Sequence, residues 1–562
     1  MNLEASPRPS TMWLVQRALL AMALMVGFYV FAAAIIVILL SIPYAEWAIA
    51  HRIDLRIAVF CIGGGLTILW ALVPRPDRFT PPGPRLDEAR HPRLFQMIRD
   101  VAAATHQKMP ADVYLLNEVN AWVTHRGGTM GFGSHRVMGV GLPLLQAVSV
   151  PELKGIIAHE FGHYSSGDVK LGPWIYKTRA AIARTISGVH ETMVEAPFLW
   201  YGRQFMKLTH AVSRRQEFIA DEVAVRVVGA AAVASALRRV TALTPLFSSF
   251  VQSELLPVLQ AGFLPPLVSG FDQFLKADRI ADASRQIVDA VEAEGATDLF
   301  DTHPSLRDRL AALGPEQDVS PAADPGESAA ALLGDPEGQA RALVEFAWGP
   351  ETIGRLKPIE WAGVGESVIA ARWREIVKSH AQRLGRFTSD ALPVGRPAYI
   401  RLGSELVSAD EQNVNADERI SRAAYLLSVG VGVLLLDQGW QISTGPGMPV
   451  VLSRGSERYD PLMAVTALVE GRTAADAWRA HCHVIGIAGR SLGTGAAVEV
   501  AAATHVPVSA PLVVRRVDTP ATPIALNQIQ CFRCKHALPI TPGTRGKSVK
   551  CPQCGTKQQL PR

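Results

Sequence analysis

SVPELKGIIAHEFGHYSSGDVK, running from Ser149 to Lys170, decides how the rest of the chain is read. Ser149 and Glu152 fit a capping box, and Pro151 sits in the first turn, where its missing N–H costs nothing. Leu153, Ile156, Ile157, Phe161 and Tyr164 then recur at helical spacing, so one stripe faces a core. Inside this helix lies His159-Glu160-Phe161-Gly162-His163, an H-E-x-x-H match. The two histidines are four apart and stand one turn above each other on one face. Imidazoles so placed reach one Zn²⁺ at about 2.0–2.1 Å, and Glu160 beside them suits a general base toward water at the metal. The competing reading is a chance match with two satisfied surface histidines.

With 562 residues the chain has room for about three or four domains. Its 48% apolar content, mean hydropathy of +0.16 and 19% charged residues lean toward a membrane-attached protein. A net charge of +5 is unremarkable for this length, so the whole chain does not read as a nucleic-acid binder. Six cysteines are too few for a disulfide scaffold: Cys61 lies in an apolar run, Cys482 stands alone, and four form two C-x-x-C pairs. That usage implies reduced, metal-binding thiols and a cytoplasmic C-terminal part.

Residues 1–74 read as a membrane hairpin. Ala18 to Ile42 is a run of 25 without a charge, above the ~20 needed to span a bilayer and longer than a signal peptide's apolar region. Ile57 to Val73, 17 residues with Gly63-Gly64-Gly65, reads as a second span at the short limit. Its alternative is a buried helix of a soluble domain. Tyr44 and Trp47 in the connecting loop suit interfacial anchors. Arg8 and Arg17 before the first span, and Arg75, Arg78 and Arg85 after the second, outweigh Arg52 and Arg56 between them. Both ends are therefore expected on the cytoplasmic side.

After the proline-rich RPDRFTPPGPR, Leu94 to Ala104 has helical periodicity, and Asp112–Leu116, Ala121–Thr124 and Arg136–Val140 read as strands. The glycine-rich HRGGTMGFGSH between the last two lacks the lysine and hydroxyl of a P-loop. A hairpin beside the metal helix is expected, with an edge open to an extended peptide. Leu171 to His210 reads as helical and broken at Pro197. Lys177, Arg179, Arg184, Glu191, Glu195 and Arg203 argue there for an amphipathic pair, on the membrane or over the site, rather than another span.

A catalytic zinc site takes three protein ligands. A histidine six residues after His163 is excluded, since Val169 stands there. In SRRQEFIADEVAVRVV, Glu217, Ala220, Asp221, Ala224 and Val228 share a face, and carboxylates on a face of alanine and valine need partners. Glu217 as third ligand, with Asp221 accepting the free N–H of a ligand histidine, would supply them. Ala220 and Ala224, like Ala158 and Gly162, are small enough for close helix approach. The alternative pairs both carboxylates with Arg214, Arg215 or Arg226 on a solvated face, and Glu191 and Glu195 are rival ligands.

HEFGHYSSGD followed by SRRQEFIAD resembles the HtpX-like and CAAX-protease-like membrane zinc metallopeptidases, of gluzincin type, at His159, Glu160, His163, Glu217, Ala220 and Asp221. Asn120-Ala121 and Thr302-His303-Pro304 are similar to further signatures of that family. The resemblance covers roughly Arg75 to Leu313 plus the hairpin, and departs from the family in lacking a clear second hydrophobic hairpin. It implies an α+β zincin-like peptidase domain at 75–316, mainly helical with a small β sheet. It also implies a catalytic role for His303 on the oxyanion; the other reading of DTHPSLRDRL is a capping turn with Arg309 in a structural ion pair.

Residues 317–340, acidic and rich in Pro, Gly and Ala, read as a linker, and 341–505 as a mixed α/β domain without a catalytic constellation. In it Glu366–Gln382 looks helical, Ala424–Leu436 is an apolar run too short to span and so core, and Gly439–Leu452 has strand and turn character. His481-Cys482-His483 has no partner pair and reads as non-metal. Beyond a second linker, 506–528, Cys531, Cys534, Cys551 and Cys554 have the spacing of a zinc ribbon at 529–562. A redox dithiol would need a βαβ context that is absent. Seven Lys or Arg and no acidic residue from Cys531 onward suit nucleic acid, anionic lipid or an acidic protein segment as partner.

The expectation is a multi-pass cell-membrane zinc endopeptidase with its catalytic domain on the cytoplasmic side, one catalytic and one structural Zn²⁺, and protein or peptide substrates. The resemblance implies membrane-protein quality control or processing. The competing expectation is a membrane-tethered adaptor whose ribbon and middle domain bind partners.

Overall fold

The computed structural model describes residues 11–73, 77, 79–128, 133–164, 172–293, 304–314, 326–407 and 414–493, with four short strands between 528 and 559. It is mostly helical with small sheets. Two compact units divide the described residues: one runs to Pro245 and adds Ala283–Ala347, the other takes Leu246–Asp282 and the described parts of Trp348–Pro511 and Thr522–Arg562.

The first unit begins with two apolar helices, α1 (Thr11–Ala50) and α2 (Leu55–Leu72). Both are long and apolar enough to cross a membrane. Asp54 caps α2, its Oδ1 accepting the Arg56 and Ile57 N–H groups at 2.8 and 3.4 Å. Leu39 and Leu40 of α1 lie beside Gly64 and Gly65 of α2, 3.6 and 3.5 Å from where a Cβ would stand, so alanine would fit at either position. Val26, Val30, Val37, Val59, Leu66 and Trp70 point outward, an apolar surface suited to lipid.

The same unit carries a four-stranded sheet in the order β1 (Arg85–Leu86), β2 (Asp112–Leu116), β4 (His135–Gly141), β3 (Ala121–Arg126). β2 and β4 run parallel, and β3 pairs antiparallel to β4 on the edge. Val113, Leu115, Val137, Met138 and Val140 bury the sheet centre. Gly139 has to be glycine: a Cβ there would lie 2.5 Å from the Trp122 ring opposite. Helices α3 (Pro92–Ala104) and α5 (Val150–Gly162) fall where the periodicity predicts them, and a short helix that the sequence did not announce, α4 (Leu142–Ala147), lies between the sheet and α5.

Then come α6 (Gly172–Gly188), α7 (Glu195–Val228) and α8 (Ala230–Ser249). The break expected at Pro197 lies before it, at 189–194; Pro197 itself sits in the first turn of α7, where proline is tolerated. One face of the amphipathic pair packs on the apolar helices. Ile182, Phe198 and Phe205 share a core with Met25, Phe28 and Ile68 of the apolar helices.

The expected linker 317–340 is ordered from 326 on among the described residues. Ala329–Leu333 forms a 3₁₀ helix with Ala329, Ala330, Leu332 and Leu333 buried, and Pro336–Trp348 is helical. Ser328 bridges Ser149, and Leu333 C=O meets His91 Nδ1 at 2.9 Å. Composition misled here because the segment's stability comes from distant contacts.

In the second unit the apolar run 424–436 belongs to a longer helix, Ala416–Leu436, capped by Asn415. Its length would suit a membrane span, but Leu427, Val429, Val431 and Leu435 are fully buried among Trp373, Leu402, Leu452 and Val465. It is core, as the sequence implied. Cys482 is buried against the Ser389 carbonyl, and His481 stacks on Tyr459. Near the C-terminus, Gln528–Gln530 pairs with Ala537–Pro539 and Ser548–Lys550 with Lys557–Gln559, one antiparallel pair around each C-x-x-C. The four cysteines lie outside the described residues.

Candidate metal centre

The α5 helix starts where its capping box requires: Ser149 Oγ accepts the Glu152 N–H and Glu152 Oε2 accepts the Ser149 N–H at 2.7 Å. Glu152 also accepts Ser235 Oγ–H at 2.6 Å and Arg239 Nε–H at 3.1 Å from α8, an arrangement no local motif announces. Leu153, Ile157, Ala158 and Phe161 are fully buried, which fixes the rotation of α5 about its axis.

That rotation presents His159 and His163 to α7. A Cβ on Gly162 would lie 2.8 Å from Ala220 Cα, so the two helices meet backbone to backbone. Glu217, one turn before Asp221, thereby comes within 3.4 Å of His159 Nε2 and 3.7 Å of His163 Nε2. The imidazoles stand nearly perpendicular, 86° apart with centroids separated by 4.8 Å. Ligand atoms of His159, His163 and Glu217 lie within 4.8 Å of one another, the one such group among the described residues.

Asp221 Oδ1 meets Nδ1 of His159 at 2.8 Å, which leaves Nε2 turned toward Glu217. On its other side Arg309, from the helix Leu306–Ala312, donates Nε–H and Nη2–H at 2.9 and 2.6 Å. Arg309 Nη1 lies 3.7 Å from Glu217. Glu217 and Asp221 are only 5% and 2% exposed, which excludes the solvated-face alternative. Burial pulls the His159 pKa down, but hydrogen bonds to Asp221 and Glu217 outweigh it and push it up to about 9. Burial likewise raises the Asp221 pKa, yet the bonds from Arg309 and His159 hold it below the usual aspartate value. Two carboxylates around one imidazole thus call for a positive charge between them, and the His₂Glu donor set fits zinc.

A cleft of about 310 Å³ opens onto the site. Its lining brings His159, Glu160, His163, Glu217 and Arg309 together with apolar Leu144, Ile156, Val233, Leu237 and Val240. Asn120 and Ala121, at the start of edge strand β3, complete the rim. The edge is not wholly open, because Tyr164 Oη donates to the Val123 carbonyl at 2.7 Å.

Of the rival ligands, Glu195 accepts the Glu191 N–H at 2.8 Å and pairs with His190 at 2.9 Å, in the turn before α7. His303 lies outside the described residues. Arg309 was legible only as an alternative to it, and the pairing with Asp221 across 88 residues has no local signature.

Residues 88–316 match Peptidase family M48. A protein named Protease HtpX homolog from Burkholderia mallei (strain SAVP1) is 23% identical over 252 residues, covering 41% of this chain and 75% of that protein. The like-named protein of Burkholderia pseudomallei (strain K96243) matches with the same identity and coverage. No solved structure gives a significant match. Both findings bear out the HtpX-like resemblance carried by HEFGH and EFIAD, and with the apolar helices they give a membrane-associated protease.

Proposed function

With an M48-type peptidase domain at 88–316 as the premise, we propose that the chain is a membrane-anchored zinc endopeptidase. The convergence of His159, His163 and Glu217 within 4.8 Å, in a cleft that also holds Glu160, carries the proposal. Zinc held by those three side chains would act as a Lewis acid, polarising a peptide carbonyl and acidifying water. Glu160 takes the proton of the attacking water and returns it to the leaving amine. Asp221 holds the His159 ring in one tautomer, with Arg309 keeping that carboxylate ionised. His303 is assigned to the oxyanion on the strength of the Thr302-His303-Pro304 likeness alone.

Edge strand β3, which starts at Ala121 in the cleft lining, suits pairing with an extended substrate, and the apolar lining suits an apolar side chain beside the scissile bond. We assign α1 and α2 as spans with both chain ends cytoplasmic, and membrane proteins as the substrates processed. The paired strands around each C-x-x-C support a structural zinc at Cys531, Cys534, Cys551 and Cys554. A proteolysis assay on the detergent-solubilised chain, with and without chelator, tests the reading. Cleavage that a chelator leaves untouched would overturn it.

A further inference from the structure

The geometry points to Tyr164 as a stop on the substrate groove: it takes up the edge of β3 beyond Ala121, so that a bound peptide pairs its backbone with Ala121 and no further. That role presupposes the peptidase reading, with an extended substrate lying along β3, and sets how much of the substrate is held.

The parity of β3 shows which backbone groups an incoming strand can reach. The Gly141 N–H donates to the Asn120 carbonyl at 2.8 Å, and the register continues with Ala121 opposite Val140 and Val123 opposite Met138. In an antiparallel pair, residues that bond the neighbouring strand alternate with residues whose N–H and C=O point away from it. Asn120, Trp122 and Thr124 therefore face β4 with their backbone groups, and Ala121, Val123 and His125 turn theirs to the open edge. That outward row is the one a peptide would use. Of the three residues, Ala121 lines the cleft and the other two do not.

Tyr164 occupies the next place in the row. Its Oη donates to the Val123 carbonyl at 2.7 Å, the acceptor that a following substrate N–H would need. Val123 is only 7% exposed. The Tyr164 ring then reaches His125, with centroids 5.7 Å apart. Whichever way a peptide runs, its N–H groups facing Ala121 and Val123 are two residues apart. The first finds a carbonyl and the second does not.

The stop is braced. Tyr164 follows His163 directly, and its N–H bonds the Phe161 carbonyl at 2.9 Å. Arg136 of β4 lays its guanidinium 4.6 Å from the ring centroid and is itself held by the Lys108 carbonyl at 2.8 Å. Gln107 Nε2 donates to the Tyr164 carbonyl at 3.4 Å. A peptide bonding Val123 would have to break the phenol's bond and push aside a ring seated under Arg136, so the exchange brings no net hydrogen bond. The substrates that follow are peptides extended over a short stretch, with proline tolerated where the second N–H would stand. A side chain that merely anchored the end of α5 would make the same contacts without deciding which substrate N–H groups matter.

The test uses the full zinc-loaded chain in detergent and a peptide from a β-casein digest that the parent cuts at one bond, with chelator abolishing the cut. Copies bearing one backbone N-methyl group, at each position but the scissile one, are compared by kcat/KM. In the parent, methylation at the residue facing Ala121 should cost about fivefold, the worth of one hydrogen bond, and methylation two residues further toward Val123 less than about twofold. Tyr164→Ala bares the Val123 carbonyl and should make that second position sensitive, again by about fivefold. Zinc content and helical circular dichroism at parent levels establish that the variant is folded. A second measurement needs no variant: end-blocked peptides trimmed on that side back to the residue facing Ala121 should be cut by the parent as fast as the full peptide. A parent sensitive at both positions, a Tyr164→Ala scan identical to the parent's, or a loss of rate on trimming would each overturn the stop while leaving the peptidase reading intact. Absence of any chelator-sensitive cleavage would overturn that reading and the stop with it.

Discussion

Asp221 Oδ1 lies 2.8 Å from Nδ1 of His159, and this contact decides which nitrogen of the ring is left for a metal. Replacing Asp221 with Asn removes the charge that orients the ring and holds Arg309. Zinc affinity should fall about 10–100-fold, read by competition with a chromophoric chelator, while the helical circular dichroism stays near that of the parent.

Glu160→Gln keeps the ligands and removes the base. kcat/KM on a casein-type substrate should fall by about 10²–10⁴-fold. Parent and variant should both hold two zinc ions per chain by elemental analysis, and His163→Ala one. A parent chain holding only the ion assigned to the four cysteines would instead favour the adaptor expectation.

Gly162→Ala puts a methyl group into the backbone of Ala220. Overpacking of this kind costs about 1–3 kcal/mol, so thermal unfolding should come earlier and zinc should bind more weakly. Gly354→Ala, in the helix Pro350–Gly354, is the control: nothing lies within 4 Å of its Cβ position, and the melting temperature should not fall.

In the second unit, burial pushes the Glu254 pKa up, against the lowering effects of the Gly447 N–H and Arg279. A carboxyl raised on folding contributes stability below its unfolded pKa and loses it as pH rises through the folded value. Glu254→Gln keeps an acceptor for Gly447 and removes the buried charge. It should raise the melting temperature by about 1–2 °C at pH 8 and leave it unchanged at pH 4.

The metal helix was legible because several local signals agree within it: the Ser149–Glu152 box, the apolar stripe and the i, i+4 histidines. Close approach of α5 and α7 was also legible, in the small residues Ala158, Gly162, Ala220 and Ala224. Other features depend on partners far along the chain. The buried Ala329–Leu333 turn has the composition of a linker and is ordered by contacts near Ser149 and His91. The union of α6–α7 with the apolar helices was hidden because arginines and glutamates break the hydropathy, although they gather at the ends and tip of the hairpin.

One unbroken rod of 34 residues, α7, joins Phe198, packed on the apolar helices, to Glu217 at the metal centre. Nineteen positions separate them, about 28 Å at helical rise. Such a strut sets a standoff height. A bond tethered to a bilayer-anchored substrate comes within reach only when its extended tether, at about 3.3–3.6 Å per residue, spans the part of that length standing clear of the lipid surface. Progressive shortening of a substrate's juxtamembrane tether should therefore abolish cutting abruptly, at a length dictated by helix geometry and indifferent to the amino acids in the tether.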